Sequence, residues 1–319
     1  MNHCCAKLLP LILASALPML ATAQTYTPLA LGGLNQDIIA EATTAMAHTS
    51  SSVDSNGAIA TVLFSDSFPH PSTQVGLPNN GLLSAASGGA SFTYQLAAFN
   101  GNNALVTPAG QTKTTTLAAP TALSNLSLLV FATEQSKNAT YTLTFDDGST
   151  SVQPVTVVND WYSSAAARIS GYGRVVRNND TNFTSQTNQK YFGNELKLTC
   201  AEQKKKLSSI TLQAQDITPN NLKGSVVLLA ASGVAADVDA GAISGASTLG
   251  VAQSAVLSNP IPGGRWESSG IAIATVDATT GKVTAVAPGS VTITYTLPGL
   301  CSTPARHNIT INAAPITPP

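Results

Sequence analysis

The side chains that could do chemistry in this chain are few and scattered. Acids in the middle of the sequence include Glu134, Asp146, Asp147, Asp160 and Glu195. Two of them, facing each other about 5–10 Å apart, would make a glycosidase pair. Asp146 and Asp147 stand before Gly148, where acids mostly form turns. Asp146, Asp147 and Asp160 also carry oxygens suited to a structural calcium ion, the one cofactor this sequence leaves open. Three histidines outside the leader, His48, His70 and His307, are far apart in sequence, so a zinc site with three or four clustered ligands is not expected. There is no Gly-x-Ser-x-Gly elbow, no His-Glu-x-x-His and no phosphate loop. Gly171-Tyr172-Gly173 opens like a dinucleotide fingerprint, but Val176 stands where the third glycine belongs. It reads as a strand with glycine bends. The expectation is a protein without catalysis.

Binding is the better-supported chemistry. Asn159-Asp160-Trp161-Tyr162 combines two aromatic faces with an amide and a carboxylate, the pattern of an apolar platform with polar groups at its edge. A sugar ring could stack there; the alternative is a core aromatic plugging one end of a sandwich. Asn100, Asn102 and Asn103 form a second polar loop, read as a plain turn. Trp266 is expected in a core. Only 10% of residues are charged and the net charge is −1. No basic stripe is available to neutralise phosphates, so nucleic acid is excluded as a partner. Lys204-Lys205-Lys206 reads as a solvated turn. The expected partner is a glycan or another cell-surface ligand, and the oligomeric state is left open.

The elements that must position these residues are strands. Residues 1–23 read as a signal peptide: Lys7 gives a positive start, Leu8 to Leu20 an apolar run too short to span a bilayer, and Ala21-Thr22-Ala23 a small-x-small cleavage site. Cys4 and Cys5 precede the apolar run, so neither is a lipid-anchor cysteine. The mature chain would begin at Gln24 and be secreted or held at the cell surface, with no membrane span. From 24 to 234, about ten alternating or apolar strand candidates are separated by Gly, Pro, Asn and Asp clusters, the rhythm of an all-β sandwich. Asp147-Gly148 between two alternating segments marks a hairpin. Asn35 to Ala47 and Ala201 to Leu207 are helix-like without a sustained 3.6-residue pattern, and the second is expected to form a short helical turn. A sandwich of this size exceeds an immunoglobulin domain and fits a jelly roll. The run from Tyr141 through Phe145-Asp-Asp-Gly148, Asp160-Trp161 and Arg168 to Arg174 resembles galactose-binding-like modules of secreted glycosidases and adhesins.

Residues 235–242, small and acidic at Asp237 and Asp239, read as a linker, and 243–312 as a second sandwich. There Val291, Ile293, Tyr295 and Leu297 alternate with Ser290, Thr292, Thr294 and Thr296. Ile273 to Val276 and Lys282 to Val286 form a hairpin closed by Gly281. Ile273-Ala-Thr-Val276, Gly281-Lys-Val-Thr-Ala-Val286, the strand from Gly289 to Tyr295, and Trp266 with Ser268 resemble the bacterial immunoglobulin-like group 2 domain of invasin- and intimin-type surface proteins. The resemblance implies an immunoglobulin-like spacer. Family members with a cysteine at the place of Cys301 often carry a partner near their first strand, and Thr248-Leu-Gly-Val251 has none. Cys200 and Cys301 therefore read as two buried free thiols or one bridge between domains. The first is favoured, because each cysteine lies beside its own strand in a different domain. The Pro-rich tail, 313–319, cannot add a strand. Related proteins usually continue there into further modules or an outer-membrane anchor, so this chain reads as a fragment or a free secreted form. The whole is expected to be all-β: a jelly-roll-like sandwich followed by an immunoglobulin-like one. It would serve surface recognition or adhesion. The alternative is an accessory part of, or a diverged, extracellular polysaccharide-acting enzyme.

Overall fold

A computed structural model describes residues 23–42, 44–53, 60–183, 189–217 and 223–313. The leader up to residue 22, with Cys4, Cys5 and Lys7, and the tail from residue 314 lie outside the described residues. Among the described residues the regular structure is strand, apart from one four-residue helix, Cys200–Gln203. Thr199 caps that helix, and the Glu202 carboxylate accepts in return from the Thr199 backbone N–H at 2.6 Å. In the other helix-like stretch, Asn35 to Ala47, the described residues form no helix and contribute the short strand Ile39–Ala40.

The large domain is built on the pairing of Leu123–Ala132 with Ser225–Ala235. The two run antiparallel from Val226 opposite Ala132 to Ala235 opposite Leu123. Lys190–Lys197 flanks the first strand, and Thr25–Leu29, Ala90–Gln95 and Leu82–Ser87 extend the sheet beyond the second. A facing sheet contains Lys137–Phe145, Leu207–Asp216 and Thr112–Thr121. Lys137–Phe145 alternates buried and half-buried residues along its whole length, as period two requires of a strand with one core face. Leu126, Leu128, Val130 and Leu228 meet Tyr141, Leu143, Ile210 and Leu212 between the two sheets.

The central sheet is also covered on its other face. Leu129, Phe131, Val227 and Leu229 pack there with Tyr94, Trp161, Ile38 and Leu63. Loops provide the cover, together with a small sheet of Ile39–Ala40, Thr61–Phe64, Arg174–Val176 and Asn179–Phe183. This third layer explains why the two central strands are buried at nearly every position rather than every second one. The hairpin at Asp147-Gly148 forms as expected: Gly148 has φ +79° and the strands Lys137–Phe145 and Thr150–Val152 pair antiparallel. Gly171-Tyr172-Gly173 is not a strand with bends but a connection between the short strands Ile169–Ser170 and Arg174–Val176, with Gly171 at φ +99°, and a Cβ at Gly173 would lie 2.9 Å from the Phe64 ring.

The C-terminal domain is a second sandwich. One sheet is Thr248–Gly250, Ala305–Asn312, Gly289–Thr296 and Arg265–Ser268; the other is Ser254–Val256, Lys282–Ala285 and Ala274–Val276. Its core holds Trp266, Val283, Ile293, Tyr295 and Ile309. The Tyr295 hydroxyl donates to the Ile261 carbonyl at 2.8 Å and accepts from the Gly264 N–H at 2.7 Å, so a buried polar tip is satisfied at both ends.

Where the domains meet, the free-thiol expectation is overturned. Cys200 and Cys301 form a disulfide, with Cα atoms 5.0 Å apart, well inside bridging range. The segment between the domains is no loose linker. Ala236 N–H donates to Ala122 O, and Asp237 N–H to the Gln203 side-chain oxygen. The Asp237 carboxylate accepts from Cys301 N–H at 2.9 Å, and Asp239 from Thr303 N–H at 2.8 Å. Bonds to both domains hold the helix that begins with Cys200 and the loop that carries Cys301 together, which sequence separation conceals. The lysine run is also put to use: Lys204 pairs with Asp239 at 2.6 Å and Lys205 with Asp147 at 2.9 Å.

Trp266 is 5% exposed. Trp266→Ala should cost the second domain about 3–5 kcal/mol, the usual range for truncating a buried indole. Denaturant titration checks this by circular dichroism. The fluorescence of Trp161, then the remaining tryptophan, should report an unshifted large-domain transition.

Candidate functional site

The predicted platform folds where the chain leaves Thr156–Val158 and crosses the end of the central sheet. Ala132 N–H donates to Asn159 O at 2.9 Å, Trp161 N–H to Ala132 O at 3.0 Å, and Lys190 N–H to Trp161 O at 3.1 Å. These bonds put Trp161 inside. Its ring stacks on Phe131 with centroids 5.0 Å apart, and the residue is 1% exposed. Trp161 is thus the core plug and has no open face for a ligand. Asn159 is half-buried. The Asp160 carboxylate is occupied by the N–H groups of Tyr162 and Gln135, both at 2.8 Å, and burial raises its pKa.

Tyr162 is what remains open, at 43% exposure. The Arg174 guanidinium lies 5.0 Å from the Trp161 ring centroid and 4.9 Å from that of Tyr162, a cation–π contact with both. Lys190 closes one side, its ammonium donating to Ser163 O at 2.7 Å. The platform is therefore one exposed ring, held by a buried indole and an arginine. The sequence reading missed Arg174, because only the third layer brings its strand to Trp161.

The calcium set does not assemble. Asp146 and Asp147 follow the far end of Lys137–Phe145, and Asp160 binds beside its start, so the strand separates them by about 30 Å. Asp147 accepts from Ser149 and pairs with Lys205, which together hold its pKa down at about 2. Asp146 accepts from Lys206 N–H at 3.1 Å. Glu195 is paired with Arg168. Among the described residues no group of three or more His, Cys, Asp or Glu could hold a metal ion.

Glu134 belongs to a structural device. Glu134 and Gln135 have φ of 55° and 92°, a costly conformation for side-chain-bearing residues. Their carbonyls both accept from the Lys137 ammonium, at 3.0 and 3.3 Å. Lys137, 1% exposed, also pairs with Asp216, 7% exposed, at 3.2 Å. The strained turn delivers two carbonyls to a buried cation that needs them.

A different constellation was not foreseen. Asp37, Glu41, His48 and Ser50 line a cavity of about 400 Å³ with Asn100 and Asn102. Asn103 anchors it, donating to Asp37 at 2.6 Å and accepting from Ile38 N–H at 3.0 Å. His48 Nδ1 lies 3.8 Å from a Glu41 oxygen. The other Glu41 oxygen is buried without a hydrogen bond. Ala42, next in sequence, has φ 62°. Burial raises the pKa of Asp37, and burial followed by the Asp37 charge raises that of Glu41. The unpartnered Glu41 oxygen beside this cavity is an acceptor that a hydroxyl or ammonium group could meet. Its signal was split between a segment read as helix-like and a loop read as a turn.

Two substitutions test these assignments. Lys137→Met leaves Asp216 buried and unpaired, so chemical denaturation should show a loss of about 3–5 kcal/mol. Glu41→Gln should act oppositely. A raised folded-state pKa means native Glu41 binds its proton more tightly than the unfolded chain does. Its contribution is most favourable below the ordinary carboxylate range and is lost as pH rises through the folded pKa. The variant's stability relative to the natural protein should therefore increase from pH 4 to pH 7 in thermal melts.

Comparison with known proteins bears mainly on the second domain. The family described as Bacterial Ig-like domain (group 2) matches residues 245–298, well under half of the chain. No curated protein matches. Among solved structures, the M60 catalytic domain with the CBM51-1 and CBM51-2 domains from Clostridium perfringens ZmpB is similar at 8% identity and a TM-score of 0.20, over 73% of this chain and 20% of that one. This chain thus spans a fifth of that structure's length, and a score so low carries no argument about fold or ligand. The match lays the bacterial immunoglobulin-like group 2 pattern over residues 245–298 of the second sandwich, short of its last strand, Ala305–Asn312.

Proposed function

We propose that the chain is an exported, non-catalytic recognition protein of a bacterial surface. Its large sandwich contacts a glycan or another cell-surface ligand, and its immunoglobulin-like domain acts as a spacer. The observation that carries this reading is the Cys200–Cys301 bridge joining that domain to its neighbour. Such bonds persist outside the reducing cytoplasm. The leader-like sequence before Gln24 supports export, and among the described residues no helix is long and apolar enough to cross a membrane. For the ligand face, Tyr162 offers an aromatic surface beside Arg174 and Lys190. This is the form of an apolar platform with a few placed polar groups.

A second reading, an accessory part of or a diverged polysaccharide-acting enzyme, is favoured by one feature: Asp37 and Glu41 sharing a polar cavity. Asp160 does not favour it, since its carboxylate is taken up by the Gln135 and Tyr162 N–H groups.

A glycan array probed with the chain from Gln24 onward separates these readings. Binding to a glycan class is expected, with Tyr162→Ala weakening it about tenfold, the loss of roughly 1.4 kcal/mol, while the melting curve stays unchanged. Binding untouched by Tyr162→Ala removes the platform. Release of reducing sugar from polysaccharides, abolished by Glu41→Gln, replaces the proposal with the second reading.

A further inference from the structure

The disulfide changes how the chain carries tension. It joins residues 101 apart in sequence. Inside the loop it closes lie Leu207–Asp216 and Ser225–Ala235 of the large sandwich, the junction segment, and every strand of the second domain except Ala305–Asn312. A chain drawn out from its two ends cannot lengthen between Cys200 and Cys301. Tension reaching the second domain enters at Cys301 and leaves beyond Asn312. The strand on that path, Ala305–Asn312, is already extended, rising about 3.4 Å per residue against a limit of about 3.6 Å. The rest of the domain is bypassed.

Without the bridge the path would differ. Tension would arrive through the junction segment at Thr248–Gly250, which lies parallel to Ala305–Asn312 through three pairs, Thr248 with Thr310 to Gly250 with Asn312. The two strands would be drawn past each other, and the whole domain would stand between the pulled points.

The junction is also fitted to keep its geometry. Lys204 reaches from the large domain to Asp239 at 2.6 Å and to Cys301 O at 3.3 Å. The Gln203 side chain donates to Leu198 O and accepts from Asp237 N–H. Gly299 has φ +118°, and a Cβ there would lie 2.5 Å from the Asp237 carboxylate, so that loop closes on the aspartate only as glycine. Hydrogen bonding from Lys204 and then Thr303 holds the Asp239 pKa at about 2. That contribution is complete above the ordinary carboxylate range and fades as pH falls towards 2. Cys200 is exposed and Cys301 half-buried, so a reductant reaches the bridge in the folded protein.

We propose that the Cys200–Cys301 bridge is a covalent tension path that lets the large domain pull on whatever lies beyond Asn312 without unfolding the immunoglobulin-like spacer. The topology holds whatever the ligand; its use to the protein rests on the surface reading above. The test is single-molecule force spectroscopy on residues 24–319 held between handle proteins. The oxidised protein is compared with the same protein after reduction in place, and with the Cys200→Ser, Cys301→Ser double variant. Breaking the bridge should add about 350 Å of extended chain to the final length, and an unfolding step from the second domain should appear only then. Equal final lengths, such a step in the oxidised protein, or two free thiols in the exported protein would each overturn the proposal. If the double variant fails to fold, reduction of the natural protein gives the same readout. Ligand binding at zero force should be equal in both redox states, so failure of the glycan reading leaves this measurement intact.

Discussion

The pairing of Leu123–Ala132 with Ser225–Ala235 is the constraint on which the other features rest. Because both faces of this pair are buried, it fixes a sheet on one side and a layer of loops on the other. Phe131 on one strand receives the Trp161 ring, which places Tyr162 at the surface. The opposite end of the same pair, Ala235 against Leu123, leads into the junction segment. Lys197, paired with Asn125 near that end, leads into the helix that begins with Cys200. Two register choices therefore determine where the exposed ring sits and where the bridge can form. A slip by one residue would exchange the two buried faces of each strand.

A core this apolar tolerates charge only where geometry completes it. Lys137 is acceptable because one carboxylate and two carbonyls converge on its ammonium, and the backbone of Glu134 and Gln135 is bent out of its preferred region to supply them. Glu41 is the opposite case. One of its oxygens has no partner, Ala42 beside it is strained, and burial favours its protonated form. In the first instance strain gives the buried ammonium three partners, although one Asp216 oxygen has none; in the second a carboxylate oxygen is left open beside a cavity. Open polar sets next to a cavity are where ligands gain most, because a donor brought by the ligand meets an acceptor that water does not fully serve.

What the sequence made legible was local. The alternation from Ser290 to Leu297, the Asp147-Gly148 hairpin and the Gly281 turn each depend on neighbours within a few residues, and each forms as read. The misread features depend on layers. Trp161 looks the same in sequence whether its ring faces solvent or Phe131, and only the third layer decides. Cys200 and Cys301 sit beside separate strands, as expected, yet those strands end at one junction. The cavity around Asp37, Glu41 and His48 draws on two loops about fifty residues apart, neither of which carries a periodic signal. Chain pattern fixes which residues face inward, but not what the inward face meets.

The two ends of the large sandwich are thereby assigned different work. Tyr162 lies by Ala132, and the junction lies by Leu123, so the Leu123–Ala132 strand sets about 30 Å between them. The bonds that hold the second domain gather at the pole away from Tyr162. Two of the ion pairs, Lys204 with Asp239 and Lys205 with Asp147, lie around the short helix beside the junction, while Lys137 with Asp216 and Arg168 with Glu195 lie within the large sandwich. A rigid body with its open aromatic at one pole and its covalent attachment at the other transmits a pull along its strands, the direction in which an extended backbone yields least.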